Sequence, residues 1–125
     1  DVYKRQPVML GPTLSDRSKP ELKNLTFDTY KNLSDRGIDV AIITDHPEIT
    51  IENLSLCAVM AVKNGMDEEK ALKAITSTAA KNCWIDDRVG TLEVGKDADI
   101  AVFTDLPTRF ESECVMTFID GKRIK

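Results

Sequence analysis

The chain has 125 residues, of which 42% are hydrophobic, and its net charge is −4. This length and apolar content suffice for one packed domain, and the acidic balance, without a stripe of Lys and Arg, excludes a nucleic-acid surface. No apolar run approaches the roughly 20 residues that a membrane helix needs, and no signal-peptide pattern is present. Cys57, Cys83 and Cys114 match neither a zinc-ligand spacing nor a disulfide framework. We therefore expect a cytoplasmic protein that binds neither nucleic acid nor membranes.

The first half of the sequence predicts a strand–helix–strand unit, although residues 1–6 show no pattern that fits it. Residues 7–10 and 40–44 are short apolar runs without alternation, which is typical of strands buried on both faces of a parallel sheet. A helix between them is predicted to begin at Phe27, with Thr26 as its N-cap, and to end at a left-handed Gly37. A crossover of this length makes the two strands parallel.

Two further helices are predicted after the second strand. The first covers residues 51–64 behind an N-cap at Thr50, ends at Gly65, and places Cys57 on a buried apolar face. The second has its N-cap at Asp67. The predicted buried stripe of this second helix consists of Ala71, Leu72, Ile75 and Ala79. Because two helices in succession do not return to a parallel strand, the alternation of strand and helix stops here.

The last third of the sequence predicts a small antiparallel unit, because glycines separate short apolar runs there. Strands are predicted over residues 100–103 and 115–119. Asp120-Gly121 is a hairpin signal before a last short strand over residues 122–125.

The second predicted strand ends in Asp45-His46-Pro47. Parallel sheets covered by helices place their chemistry at the carboxyl ends of the strands. A carboxylate at that end, next to the single His of the sequence, is the best functional candidate in the chain. The alternative interpretation is that Asp45 only begins a turn before Pro47.

Two strings in the sequence resemble the metal-dependent amidohydrolases of the imidazolonepropionase-like branch. The first is ITDHP at residues 43–47, which continues into a helix pair ending in AITSTAA at residues 74–80. The second is DRVGTLEVGKDADIAVF at residues 87–103, which is long and highly specific. A further string, IDGK at residues 119–122, fits the closing hairpin of that family.

The resemblance implies an α/β fold that is the C-terminal part of a (β/α)8 barrel, followed by part of a small antiparallel β-sandwich. Residues 7–85 would be the barrel portion, with the two predicted parallel strands as its seventh and eighth strands. Residues 86–125 would be the C-terminal share of a composite sandwich. On this interpretation the string at residues 87–103 is structural, and Asp97 and Asp99 hold its loops.

The resemblance also implies that Asp45 binds a catalytic divalent metal and acts as the acid/base. In the family, the Asp after the eighth strand takes a proton from the attacking water and passes it to the leaving nitrogen. Zinc is the favoured ion, with iron and manganese as alternatives. The implied reaction is hydrolysis of a C–N bond in an amide, cyclic amide or amidine; deacetylation of an amino sugar and cleavage of a dipeptide stay open.

Three further residues are candidate contacts for a small-molecule substrate. Arg17 and Lys19 follow the first strand and are suited to bind an anionic group. The alternative is that they are solvated loop charges or pair locally with Asp16 or Glu21. His46 either hydrogen-bonds near the site or is a turn histidine that faces solvent.

The remaining metal ligands of the family, a His-x-His, a Lys or Glu and two more His, are missing from this sequence. Asp45 and one His do not complete the three protein ligands typical of catalytic zinc. We therefore expect a fragment that neither retains the metal nor hydrolyses substrate alone. An open strand edge and exposed apolar faces would require the missing N-terminal part of the same enzyme, or a homo-oligomer. The alternative is a non-catalytic α/β binding module that retains the hydrolase fold.

Overall fold

The chain has a mixed α/β fold, seen in a computed structural model that describes residues 6–17 and 19–125. The strands are β1 (Val8–Leu10), β2 (Val40–Ile42), β3 (Ile100–Phe103), β4 (Cys114–Ile119) and β5 (Lys122–Arg123). The α-helices are α1 (Asp28–Asp35), α2 (Leu54–Lys63), α3 (Glu68–Ala74) and α4 (Ser77–Asn82). Short 3-10 helices cover Pro20–Asn24 and Ile51–Asn53. Residues 1–5, which lacked any predicted element, lie outside the described residues.

The predicted parallel pair is confirmed, because β1 and β2 run parallel in the register Val8 to Val40 and Leu10 to Ile42. All three residues of β2 are buried, as the unbroken apolar run predicts. The paired part of the second strand ends at Ile42 rather than Thr44, because the chain turns there: the Ile49 amide donates to the Thr44 carbonyl at 3.3 Å. Gly37 ends the crossover helix with φ +74°, also as predicted.

The core lies between β2 and the helices that cover it. Its fully buried side chains come from α1, α2 and α3, and Leu10, Phe27 and Leu33 pack against them from partly exposed positions. Cys57 is completely buried, as predicted, and burial raises the pKa of its thiol. The buried core comprises Tyr30, Val40, Ile42, Cys57, Ala58, Ala61, Met66, Ala71 and Ala74.

Side-chain N-caps were predicted for three helices, and the structure confirms one of them. Asp67 caps α3, since its Oδ1 accepts the Lys70 amide at 3.0 Å. The Thr26 cap is wrong, because Phe27 occupies the N-cap of α1 with angles that are already helical. Thr50 has the extended backbone of a cap, but its hydroxyl accepts the Asn53 side-chain amide at 2.8 Å and no backbone N–H. The segment predicted as one helix over residues 51–64 therefore begins as a 3-10 turn before α2.

The helix predicted after Asp67 is broken into α3 and α4 at Ile75 and Thr76. Thr76 has the non-helical angles φ −132° and ψ −101°, and its hydroxyl donates to the Leu72 carbonyl at 2.7 Å. This side-chain bond competes with the helical ladder, and the break rotates the buried face. The predicted stripe is therefore only partly right. The buried positions are Ala71, Ala74 and Ala80, whereas Leu72, Ile75 and Ala79 are partly exposed.

The antiparallel unit is present as a three-stranded sheet in the order β3-β4-β5. The hairpin at Asp120-Gly121 is confirmed, although its last strand stops at Arg123. Asp97 and Asp99 hold loops of this unit, as predicted: Asp97 bonds the loop before β3, and Asp99 bonds the turn between β4 and β5. Asp97 Oδ2 accepts Arg88 Nη2 at 2.6 Å, and Asp99 Oδ1 accepts the Asp120 amide at 2.9 Å.

Several large apolar side chains face solvent. Val94 is fully exposed, Trp84 is 88% exposed and Leu92 is 82% exposed. On β1, Met9 is 46% exposed, so the prediction that this strand is buried on both faces is wrong, and its face away from the core is open, as expected of an open pair of parallel strands. Among the described residues, the helices are too short or too polar for any of them to cross a lipid bilayer.

Candidate active site

Asp45 lies just beyond β2, at the carboxyl end of the parallel pair. Its φ is +54°, a left-handed conformation that Asp tolerates better than most residues. Its carbonyl accepts the Glu48 amide at 2.9 Å, so Asp45 does begin a turn. The side chain is exposed, and within residues 6–17 and 19–125 no hydrogen bond or ion pair occupies its carboxylate. The turn therefore presents a carboxylate that can accept a proton or a cation.

Hydrogen bonds join the carboxyl ends of the two strands directly below this turn. The Leu10 carbonyl accepts the Ile43 amide at 3.0 Å. The same carbonyl accepts the Tyr30 hydroxyl at 3.3 Å, and the Tyr30 hydroxyl oxygen lies 2.6 Å from Thr13 Oγ1. Tyr30 is completely buried, and burial raises its pKa to about 12. The phenol therefore stays protonated and can donate at any pH near neutrality.

The backbone after β1 also touches the backbone after β2. A Cβ on Gly11 would lie 2.0 Å from the Ile43 carbonyl oxygen. Only glycine, which has no Cβ, fits at this position. Gly11 thus packs directly against Ile43, two residues before Asp45, and Tyr30 is linked to Ile43 through the Leu10 carbonyl.

The other predicted site residues are not gathered around Asp45. His46 and Lys19 are exposed, and in the described part of the chain neither side chain makes a hydrogen bond. Arg17 Nη2 donates to the Leu25 carbonyl at 2.8 Å, which ties the guanidinium to the approach to α1. Asp45 and His46 are neighbours in the sequence, and within residues 6–17 and 19–125 no hydrogen bond or ion pair joins Arg17 to Asp45.

Arg17 lines a cavity of about 290 Å³ together with Thr13, Ser15, Asp28 and other residues near the start of α1. Another cavity, of about 560 Å³, lies beside Asp39, the residue that precedes β2. This one is at the opposite end of the strand from Asp45. Its Lys81 already pairs with Asp39 at 2.7 Å, and its Lys96 donates to the Asp86 carbonyl at 2.6 Å. Because of its position, the cavity beside Asp39 is a poor candidate for binding a substrate that reacts at Asp45.

The described residues do not form a complete metal site. In the part of the chain that the structure describes, no three side chains of His, Cys, Asp or Glu are grouped so that they could hold an ion. Asp45 offers a carboxylate, a ligand type that divalent cations accept, but catalytic zinc takes three protein ligands. Asp45 can therefore supply one ligand of such a site, and the described residues do not supply the others.

Tyr30, Thr13 and Gly11 were not predicted to be parts of the site. The contacts of all three residues join segments that are distant in sequence. The available signal was local: a Gly that directly follows a buried strand often marks a close backbone approach.

Comparisons with known proteins point to one family. The model of the Amidohydrolase family matches residues 17–124. The imidazolonepropionase of Thermoplasma acidophilum is 34% identical over 83 residues, covering 65% of this chain and 20% of that protein. The imidazolonepropionase of Caldanaerobacter subterraneus is 42% identical over 89 residues, covering 67% of this chain and 21% of that protein.

Solved structures agree with this assignment. An amidohydrolase from Thermotoga maritima superimposes with a TM-score of 0.91 and 38% identity, over 98% of this chain and 32% of that one. A Xaa-Pro dipeptidase with bound methionine shares the fold at a TM-score of 0.68 and 24% identity, over 79% of this chain and 25% of its own. The chain spans about a fifth of the length of the imidazolonepropionases it matches. It belongs to the amidohydrolase family, in the imidazolonepropionase-like branch.

Proposed function

We propose that this chain supplies the acid/base end of a metal-dependent amidohydrolase that hydrolyses a C–N bond of a small molecule. The observation that carries the proposal is the open carboxylate of Asp45 at the carboxyl end of a parallel strand, in a member of the amidohydrolase family. This is the edge of a parallel sheet at which barrel enzymes place their catalytic residues.

The architecture that goes with this function is a (β/α)8 barrel, with β1 and β2 as its seventh and eighth strands. Residues 86–125 would be the C-terminal share of a composite sandwich, behind a barrel portion at residues 7–85. Two observations support the assignment. The chain superimposes on one third of the Thermotoga amidohydrolase, and exposed side chains such as Trp84 and Val94 are surfaces that the N-terminal part of the same enzyme, or a second copy, would cover.

Asp45 would act by moving one proton. Its carboxylate accepts a proton from the attacking water and then delivers it to the leaving nitrogen, so that the amine departs neutral. The exposed position of the carboxylate, with no competing partner among the described residues, leaves it available for both transfers. A divalent cation bound beside Asp45 would lower the pKa of the attacking water; zinc is the favoured ion, with iron and manganese as alternatives. Its other ligands would have to come from outside this chain.

The substrate would be a small molecule that carries an anionic group. Arg17 supports this, because its one hydrogen bond to a described residue, from Nη2 to the Leu25 carbonyl, uses a single donor of the guanidinium, which also lines the cavity. Lys19 and His46, both exposed, would add to substrate binding as mobile contacts. We place the enzyme in the cytoplasm, in keeping with three cysteines that are all free.

The proposal is tested by assaying the enzyme that contains this chain against cyclic amides, N-acetylated amino sugars and dipeptides. We expect hydrolysis of one class, its loss on treatment with a chelator, and its return on addition of a divalent cation. Hydrolysis that survives complete removal of metal would contradict the metal-dependent mechanism. Failure of the metal-loaded enzyme to hydrolyse any class would instead support the non-catalytic binding module.

A further inference from the structure

The buried hydroxyl group of Tyr30 bonds the carboxyl end of the first parallel strand and the loop that follows it. Its oxygen lies 3.3 Å from the carbonyl of Leu10, the last residue of β1, and 2.6 Å from Thr13 Oγ1 in the loop that follows β1. The Leu10 carbonyl in turn accepts the Ile43 amide at 3.0 Å. The phenol therefore bonds the end of β1 and the loop after it directly, and it is linked to Ile43, two residues before Asp45, through the Leu10 carbonyl.

The directions of these hydrogen bonds are mutually consistent. The phenol has one hydrogen, which it donates to the Leu10 carbonyl, and its oxygen then accepts the hydroxyl hydrogen of Thr13. Thr13 is itself only 5% exposed, so both hydroxyl groups depend on each other for satisfaction. Burying either hydroxyl group without a partner would be costly. The two hydrogen bonds therefore favour one arrangement of α1, the end of β1 and the loop at Thr13.

The hydroxyl does nothing for the apolar core that the ring fills. The ring packs in the cluster with Val40, Ile42 and Cys57, and a phenylalanine would fill that space equally well. The partners of the hydroxyl lie at the carboxyl edge of the sheet, the edge that carries Asp45. Its contribution is therefore to the geometry of that edge.

We propose that Tyr30 is a positioning residue for Asp45. Its hydroxyl fixes the Leu10 carbonyl and the loop at Thr13, and the bond from the Ile43 amide to that carbonyl extends this constraint to the turn that presents the carboxylate. The inference rests on the proposed function of Asp45. Proton transfer requires hydrogen-bond contact with the reacting water, so a displaced turn would slow the reaction without weakening the binding of a substrate held elsewhere.

The test is Tyr30→Phe in the active enzyme, with kcat and KM measured on its best substrate. Because a displacement of 1 Å can cost up to about 100-fold in rate, we expect kcat to fall about tenfold with KM changed less than about twofold. Thr108→Val is the matched control. Thr108 lies in the loop between β3 and β4 and is only 3% exposed. Its hydroxyl donates to Glu68 Oε1 at 3.2 Å. A variant that only loses stability would behave like this control, for which we expect an unchanged kcat.

Two variants of Thr13 keep the inference testable if Tyr30→Phe does not fold. Thr13→Val removes the bond between the two hydroxyl groups and should lower kcat in the same direction as Tyr30→Phe, whereas the conservative Thr13→Ser keeps that hydroxyl and should recover most of the kcat that Thr13→Val loses. The double variant Tyr30→Phe/Thr13→Val should be no slower than Tyr30→Phe alone, because Tyr30→Phe already removes the bond to Thr13.

Two results would overturn the inference. One is an unchanged kcat in folded Tyr30→Phe and Thr13→Val enzyme, and the other is an equal fall in the Thr108→Val control. Failure of the proposed function itself is distinguishable, because it would appear as normal turnover in Asp45→Asn. If Asp45→Asn is inactive while Tyr30→Phe matches its control, only the positioning role is wrong.

Discussion

The carbonyl oxygen of Ile43 lies so close to Gly11 that a Cβ on Gly11 would be 2.0 Å from it. The segments that leave β1 and β2 are thus in direct backbone contact at the carboxyl edge of the sheet. This contact, together with the bond from the Ile43 amide to the Leu10 carbonyl, sets where the chain enters the Asp45 turn.

Gly11→Ala is predicted to destabilise the protein strongly. The added methyl group meets backbone atoms, which cannot move aside as a flexible side chain can, so we expect a loss of about 3 kcal/mol or more in the free energy of unfolding. Gly37→Ala is the control, because Gly37 has φ +74° but nothing within 4 Å of a Cβ. It should lose only about 1 kcal/mol from backbone strain. Denaturant unfolding of both variants measures the difference, and equal losses would show that the contact with Ile43 is relaxed in solution.

Tyr30 is predicted to make stability depend on alkaline pH. Its pKa is about 12 in the folded protein against an ordinary value of 10.0, so above pH 10 the unfolded chain loses the phenolic proton while the folded chain keeps it. The contribution of this phenol to the free energy of unfolding is fully present below pH 10 and is lost as the pH rises toward 12. The loss is about 1.4 kcal/mol per pH unit and about 2 to 3 kcal/mol in all.

The measurement is the free energy of unfolding between pH 8 and about 12 for the native protein and for Tyr30→Phe. The difference between the two proteins removes the contribution of the other titrating groups. That difference should shrink above pH 10, because only the native protein has this phenol to deprotonate. A difference that is constant with pH would mean that the phenol is not buried as the structure has it.

Glu68 is predicted to fasten the antiparallel unit to α3. Its Oε1 accepts both Thr108 Oγ1 and Arg109 Nε at 3.2 Å. Glu68→Gln should lower the free energy of unfolding by about 1 kcal/mol, a modest value because the ion pair is partly exposed to solvent. It should also speed proteolysis in the loop between β3 and β4. Glu69→Gln is the control on the same helix, since its pair with Lys73 is exposed and should contribute at most about 0.5 kcal/mol. Equal proteolysis rates in the two variants would contradict the role of Glu68.

The elements that the sequence predicted correctly depend on local patterns. The unbroken apolar run before Asp45 predicts the buried strand β2, Asp67 predicts the start of α3, and Asp120-Gly121 predicts the last hairpin. Each of these signals lies within a few residues of the structure it specifies. The position of Asp45 at the end of a parallel strand was therefore predictable without any tertiary contact.

What the sequence did not predict depends on local conformations that no pattern encodes and on contacts between distant segments. Thr26 has the chemistry of a helix cap, but Phe27 is already helical and packs against the core. Thr76 leaves the helical conformation while its hydroxyl bonds the Leu72 carbonyl, a choice that many threonines in helices do not make. The link from Tyr30 to Leu10 spans 20 residues, and no periodicity encodes it.

The central claim, that Asp45 is the proton-transfer group, is tested most directly by comparing Asp45→Asn with Asp39→Asn. The two carboxylates stand at opposite ends of β2, and Asp39 is held in an exposed pair with Lys81. In the active, metal-loaded enzyme we predict that Asp45→Asn lowers kcat by about 100-fold to 10,000-fold, while Asp39→Asn changes it less than about twofold. A folded Asp45→Asn enzyme with the turnover of Asp39→Asn would contradict the account.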